Sequence, residues 1–223
     1  MGLAGRQGSR QKKDMTIDPA LIPAAPALDA PNAPAKASPD TLALLARRRS
    51  SKPFHLAEPG PYPGQVEALL RLATRVPDHG KLAPWRFVVL QGDARGRVGD
   101  LLAAAAAEQA GASAETIEAA RQTFTRSPFS IAVISSAAEH PKIPLWEQHL
   151  SAGAVCYGLL VAAEAMGFGA VWLTGWAAYD QGAKAALGVG AHEQVAGYIH
   201  IGTQIQTQTE RPRPDLSRIV TLA

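Results

Sequence analysis

Arg75-Val-Pro-Asp-His-Gly-Lys-Leu-Ala-Pro-Trp85 is the stretch on which the reading of the fold turns. It joins two patterns of different period. Ahead of it, Val66, Leu69, Leu70 and Ala73 recur at the spacing of one helix face. Behind it, Trp85-Arg-Phe-Val-Val-Leu90 is rich in β-branched and aromatic residues, the composition of a buried strand. Between them, Pro77, Gly80 and Pro84 rule out a continued helix and impose a shaped loop. The loop gathers Arg75, Asp78, His79 and Lys81. A polar loop at a helix–strand junction is where a scaffold presents chemistry; it is also what an ordinary charged surface loop looks like.

Working toward the C-terminus, Asp93 is an N-cap for an Ala-rich helix reaching Gln109. Ser113 to Phe124 reads as another helix, with Ile117, Ala120 and Phe124 in phase. Phe129–Ile134 is a second strand, and a long helix runs from about Leu145 to Met166. Ala152, Gly153, Ala154 and Gly158 let a neighbour approach this helix closely. It is therefore either the buried axis of the domain or the centre of a dimer interface. Cys156, inside that run, reads as a small core residue and not as a nucleophile. Gly167-Phe-Gly169 turns the chain into strand Ala170–Leu173, and Thr174-Gly175-Trp176 lies at its carboxyl end, where open α/β folds leave a ligand crevice. A helix near Gln181–Leu187, a strand Val195–Ile201 and a strand-like Ile219–Leu222 complete the chain. Strands separated by helices predict an α+β or α/β domain of three layers, α/β/α, with a mixed sheet.

Toward the N-terminus, Ser38-Pro-Asp-Thr41 starts a short helix with Leu42, Leu45 and Ala46 inward. That helix ends in Arg47-Arg48-Arg49-Ser50-Ser51-Lys52. Cations are favoured at a helix C-terminus by its dipole, so the run can be a solvated end. Arg and Ser together are also a phosphate clamp, through bidentate guanidinium contacts and a hydroxyl. Arg49 either lines such a site or faces solvent. Residues 1–37 form a polar, then Ala/Pro-rich tail whose composition predicts disorder, and residues 38–223 form the folded domain. Met15 opens a cleaner N-terminus, so residues 1–14 read as an upstream extension. Asp14, Asp18 and Asp29 argue against a transit peptide.

Composition narrows the function. The 223 residues are 47% hydrophobic and 18% charged, as in a globular protein able to bury a sizeable core. The net charge of +3 is scattered, with no basic stripe interleaved with aromatics, so nucleic acid is not the expected partner. The apolar run Leu150–Ala163 is too short to span a bilayer, and there is no secretory core, so no membrane partner is expected. A single cysteine fits a reducing compartment, and the cytoplasm is the expected location. The six histidines show no metal-ligand spacing. There is no Gly-x-Ser-x-Gly elbow and no Walker loop, and Gly167-x-Gly169 ends a helix where a Rossmann loop would begin one. A chain with no nucleophile or acid–base constellation suits an enzyme whose cofactor carries the chemistry.

Several stretches together resemble the nitroreductase family. Arg48-Arg-Ser-Ser-Lys-Pro-Phe54 resembles its first flavin motif, Arg-x-Ser-x-Lys-x-Phe, and Pro77-Asp-His79 with Pro84-Trp85 resembles one variant of its flavin-site loop. Trp146-Glu-Gln, Ser151-Ala-Gly and Gly167-Phe-Gly-Ala-Val-Trp172 resemble its central helix and following strand; Gly202-Thr203 matches its late Gly-Thr-Pro turn, with Gln204 in place of Pro. The resemblance runs from about Thr41 to the C-terminus. It implies a sheet of four or five strands, FMN as cofactor, and a homodimer. It also implies a ping-pong reaction in which NADH or NADPH delivers hydride and a nitroaromatic or quinone-like acceptor removes it. Arg48, Ser50 and the late Arg211 or Arg213 would hold the flavin phosphate, with Arg49 beside them. Lys52 would lie near the pyrimidine edge, Arg75 and His79 would contact the cofactor from the loop, and Trp172, Leu173 and Thr174 would wall it. The nicotinamide would come nearest Ala162, Ala163, Glu164, Ala165, Met166 and Gly167. The loop lacks the Asn of the family's commoner Pro-Ser-x-x-Asn pattern. Other readings are a specialised flavin enzyme that dehalogenates or cleaves a ring with oxygen, and a non-catalytic flavin-binding protein.

Overall fold

Every residue of the strand Phe129–Ser135 is buried, so both of its faces must be covered. The structure, a computed structural model, describes residues 16–223; the expectations for residues 1–15 lie outside the described residues. In chain order the elements are helix α1 (Pro39–Arg47), strand β1 (Leu56–Ala57), α2 (Pro63–Ala73) and β2 (Trp85–Gln91). The helices α3 (Ala94–Ala107) and α4 (Ala114–Arg121) follow, then β3 (Phe129–Ser135) and α5 (Leu145–Ala165). The chain continues through β4 (Gly169–Leu173), α6 (Gln181–Ala186) and β5 (Gln194–Gln204). Gly202 and Thr203, expected in a turn, are still strand.

The sheet follows from the connections. Two helices, α3 and α4, lie between β2 and β3, so the chain returns to the end it left and β3 pairs antiparallel to β2. One helix, α5, lies between β3 and β4, so those two strands run the same way. β5 separates them and is antiparallel to both. β1 adds two antiparallel pairs at the end of β5, Leu56 with Gln204 and Ala57 with Thr203. All pairings among the described residues are thus antiparallel, where a mixed sheet was expected; the α+β class and the sheet of five strands hold.

Alternation along β3 builds two cores. Phe129, Ile131 and Val133 pack with α2 and α5, together with Ile199 and Ile201 of β5. Ala132 and Ile134 face the other way, among residues of α3, α4 and α6, with Phe124 and Tyr198 ring to ring at 5.1 Å and 84°. These are the three layers. Helix α5 is the buried axis on its inner side: Ala152, Val155, Cys156 and Leu159 are fully buried. At Gly158 a Cβ would stand 3.0 Å from the Ala73 carbonyl, so glycine permits the α2–α5 crossing. The Cys156 thiol is pushed up to about 12 by burial, which makes it inert.

Three expectations are corrected. In α1, Leu44 is the buried residue, while Leu42 and Leu45 are exposed, because α1 rests on α5 along a narrow line. Ile219–Leu222 forms no strand; a 3-10 turn at Leu216–Arg218 precedes it, and Ile219, Val220 and Leu222 are exposed and pair with no strand of the sheet. The tail is not undocked throughout. Ile17 donates its N–H to the Met166 carbonyl at 3.1 Å, and Ile17 and Ile22 pack on the main core. The buried Gln65 amide donates to the Thr16 hydroxyl (3.2 Å) and the Ile17 carbonyl (3.1 Å), and its oxygen accepts the Tyr62 N–H at 3.3 Å. Two isoleucines and one receptive glutamine outweigh the Ala/Pro composition here. Residues 23–38 are exposed and carry no helix or strand.

A buried polar cluster lies under the sheet's second face. The His200 Nδ1 is 2.9 Å from the hydroxyls of both Ser127 and Ser130, and Ser127 also donates to the Phe129 carbonyl at 3.2 Å. Burial, with Arg126 nearby, pushes the His200 imidazole down to about 4.

Three outcomes follow. His200 stays neutral in the fold while the unfolded chain takes up its proton below about pH 6.5. Stability should therefore fall as pH drops from about 6.5 toward 4, by on the order of 3 kcal/mol. Urea unfolding across that range checks the loss, and the His200 ring signals should not titrate above pH 5; a ring that titrates near 6.5 contradicts it. Separately, Gln65→Ala should cost about 1–3 kcal/mol by stranding the groups it satisfies. Deleting residues 1–22 should lower the melting temperature by several degrees, on a scale of roughly 2–4 °C per kcal/mol for a chain of this size. An unchanged melting temperature would restore the undocked tail.

Candidate functional site

The chain leaves α1 in extended form, with Arg48 at φ −53° and ψ 125°, and extended backbone sends neighbours to opposite sides. Ser51 is buried and donates its N–H to the Ala170 carbonyl at the start of β4, at 3.0 Å. Ser50 and Lys52, on either side of it, are exposed. The Arg48 guanidinium lies 6.0 Å from the Tyr157 ring on α5, and the Lys52 Nζ lies 5.6 Å from the Phe54 ring. Arg48, Ser50 and Lys52 are thus all at least partly open to solvent around the buried Ser51. Arg49 is engaged elsewhere. It donates to the Thr209 carbonyl and lies 3.6 Å from Glu210. Glu210 in turn holds Arg213 at 2.9 Å, so a late arginine is drawn to the same segment. Arg211 is exposed, and its backbone N–H donates to Glu210 at 2.7 Å.

The loop after α2 is held in an uncommon shape. Gly80, Lys81 and Ala83 all have positive φ, at 73°, 57° and 46°. For Lys81 and Ala83 that conformation costs on the order of 1–3 kcal/mol each, so something must hold it. The Asp78 carboxylate does so, accepting the N–H groups of Leu82 (3.1 Å) and Ala83 (2.8 Å). The Ser151 hydroxyl on α5 donates to the Pro77 carbonyl at 2.8 Å and accepts the Trp85 indole N–H at 3.1 Å. His79 finds its partner in Glu147, with Nδ1 and Oε2 2.6 Å apart, and is mostly exposed, as is Arg75. Asp78 and His79 therefore form no dyad.

At the carboxyl end of β4, Trp172, Leu173 and Thr174 are exposed. The Trp172 indole donates to the Ala196 carbonyl at 3.1 Å and lies across Gly197, where a Cβ would collide with it. Its far edge reaches α5 at Gly153, 3.8 Å from an added Cβ. Ser151 and Gly153 are two residues apart, so they lie about 200° apart around the helix. The structure thus brings Arg48 and Trp172 to one side of α5 and the Arg75–His79 loop to another. Within one chain the expected site residues form two groups, not one.

The residues expected nearest the nicotinamide are not all available. Ala162, Ala163 and Met166 are buried in the core. Glu164, Ala165 and Gly167, with the largely buried Met166 between them, line a cleft of about 1000 Å³ together with Thr16, Arg47 and Tyr62. Burial raises the Glu164 carboxyl above its ordinary range, and Arg48 and Arg47 oppose that shift. Glu210, Glu147 and Ser151 are the functional neighbours the motifs did not assign. Glu147 and Ser151 stood inside quoted motifs without a role; Glu210 could be found only from distances. The bidentate pair of Arg86 with Glu193, at 2.7 and 2.6 Å, is structural: it fastens β2 to the turn before β5, where Glu193 also accepts the Gly190 N–H. No helix among the described residues is long and apolar enough to cross a membrane.

The donor set can be tested for flavin. A phosphate needs guanidinium and hydroxyl donors; Arg48 and Ser50 offer both on one segment open to solvent, while Glu210 holds Arg213 beside Arg49. A flat ring needs an apolar wall, and the exposed Trp172 and Leu173 supply one. The residues present fit FMN.

Comparison with known proteins places the chain in a family. The model of the family described as "Nitroreductase family" matches residues 45–203. "Putative NAD(P)H nitroreductase YdjA" of Escherichia coli strain K12 is 36% identical over 183 residues, 82% of this chain and 98% of that protein. Among solved structures, a nitroreductase-like family protein from Bacillus cereus superposes with a TM-score of 0.74 at 18% identity, over 85% of this chain and 99% of that one. A Desulfovibrio desulfuricans protein, solved in complex with FMN and described as a putative nitroreductase, gives 0.64 at 22% identity, over 84% and 98%. Matched by the family model over most of its length and by a relative along nearly the whole of that relative, this chain belongs to the nitroreductase family.

Proposed function

We propose that the protein is an FMN-dependent oxidoreductase that takes reducing equivalents from NADH or NADPH and passes them to a small acceptor of the nitroaromatic or quinone type. The observation that carries this reading is that Arg48, Ser50 and Lys52 stand open to solvent on one short segment, with Arg213 drawn to the neighbouring Arg49 through Glu210. The YdjA relative is named for NAD(P)H, and the Desulfovibrio neighbour holds FMN, which supports the same cofactor pair. When bound, FMN supplies the redox chemistry, accepting hydride from one substrate and releasing electrons to the next. The chain's own residues bind and orient. Arg48 and Ser50 grip the phosphate, Lys52 places a positive charge near the ring's polar edge, and Trp172 and Leu173 wall the ring against water. No side chain is assigned a proton-transfer step.

The second group, Arg75 and His79, completes the site from another copy of the chain in this reading. Two observations support a homodimer. The outer face of α5 carries Trp146, Leu150 and Tyr157 at helical spacing, 69%, 54% and 45% exposed, with Leu42 of α1 at 66%. Contiguous exposed apolar surface of that kind marks an interaction face. The exposed Ile219–Leu222 segment also has no partner in its own sheet. A location in the cytoplasm remains part of this proposal.

Losing one charge-assisted phosphate contact costs about 1.5–3 kcal/mol, or roughly 10- to 150-fold in affinity. Arg48→Ala should weaken FMN by that factor and leave riboflavin, which has no phosphate, nearly unchanged; equal losses for both would refute the assignment. Leu150→Asp places a charge on the outer face of α5 and should loosen the dimer and release flavin together in sedimentation with absorbance detection. A fully flavinated monomer would contradict the shared site.

A further inference from the structure

The layer opposite α5 contains a cleft that the site above does not use. It has a volume of about 450 Å³ and lies between the α3–α4 hairpin and the short turn Trp176–Ala178. That size suits one compact ring system and falls in the range of small-molecule sites. Its chemistry is selective. No charged side chain lines it. The walls are mostly small residues, such as Ala106 and Ala119, and Trp176, 38% exposed beside the buried Ala177 and Ala178, also lines it. Thr116, Thr174 and Gln109 place hydroxyl and amide groups around the rim.

The cleft is also preformed. Gln109 donates to the Asp180 carboxylate at 2.9 Å, and the other oxygen of Asp180 caps α6 by accepting the Ala183 N–H at 2.9 Å. One acid thus ties the hairpin turn to the opposite wall. The hairpin itself is fixed by the Arg121–Asp100 ion pair and by Gly99, where a Cβ would collide with the Arg121 carbonyl. A pocket held open in this way binds without first paying for its own ordering.

We propose that this cleft is a binding site for a compact, uncharged, flat ring compound carrying a hydrogen-bonding substituent. A flat ring stacks on Trp176 between alanine walls. A charged ligand would lose its hydration and find no opposite charge, which excludes the phosphates of a dinucleotide. Thr174, on the strand end expected to wall the flavin, also lines this cleft, so a ligand here touches the edge of the cofactor site without entering it.

The test uses the full chain and two probes, 4-methylphenol and its charged analogue 4-methylbenzoate, followed by ligand-observed NMR. The phenol should bind saturably and at least tenfold more tightly than the benzoate. Ala119→Trp, on the exposed surface of α4, fills the cleft and should weaken the phenol tenfold or more, while Ala119→Ser should retain it. Trp176→Ala should weaken it several-fold by removing the stacking face. No saturable binding of the phenol, equal binding of the benzoate, or binding untouched by both Ala119→Trp and Trp176→Ala would each overturn the proposal. Neither probe reports on flavin reduction, so this site stands or falls apart from the oxidoreductase reading.

Discussion

Four separate segments are fastened to helix α5, and the candidate site exists only because they are. Ser151 holds the loop at Pro77 and the first residue of β2. Gly153 meets the Trp172 indole, Tyr157 carries the Arg48 guanidinium, and the Met166 carbonyl just past the helix takes the Ile17 N–H. The helix can serve so many neighbours because its inner face is locked between the sheet and α2. With Ala152, Val155, Cys156 and Leu159 fully buried, it cannot slide or rotate without opening the main core. A mutation that shifted α5 by even an ångström would move the Arg48 segment, Trp172 and the loop at once.

Around that axis the two halves of the site are stabilised differently. The clamp needs little more than extended backbone: one buried serine, Ser51, pinned to β4 puts its neighbours outward. The loop needs active restraint. Its two non-glycine residues of positive φ persist because Asp78 and Ser151 satisfy the backbone around them. Strain retained in a polar loop beside the central helix suits a segment whose shape matters for a ligand. That the loop and the clamp lie on different sides of α5 is the geometric reason to look for a second copy of the chain.

The sequence was legible where local chemistry and period agreed. Pro77, Gly80 and Pro84 between a helical stripe and an apolar run located the loop and β2, and the small residues of α5 read as a buried axis or an interface, of which its inner side is the axis. What failed depended on partners remote in sequence. Leu44 and not Leu42 faces inward, because the line of contact with α5, invisible in a nine-residue pattern, selects it. Composition dismissed Thr16–Ile22, but a glutamine 48 residues downstream receives it. Ile219–Leu222 has strand-like residues but pairs with no strand of its own sheet, a choice its local pattern does not reveal. Ala162, Ala163 and Met166 were placed by position at a helix end, where burial in the core decides otherwise.

The central claim is that this chain holds a flavin which a nicotinamide can reduce. The most direct measurement is the visible spectrum of the protein loaded with FMN, titrated without oxygen by NADH and by NADPH and then given a quinone. The account predicts a yellow protein whose band bleaches with at least one nicotinamide and returns on adding the acceptor after the nicotinamide has been removed. A protein that takes up no FMN, or a yellow one that neither nicotinamide bleaches, would contradict it.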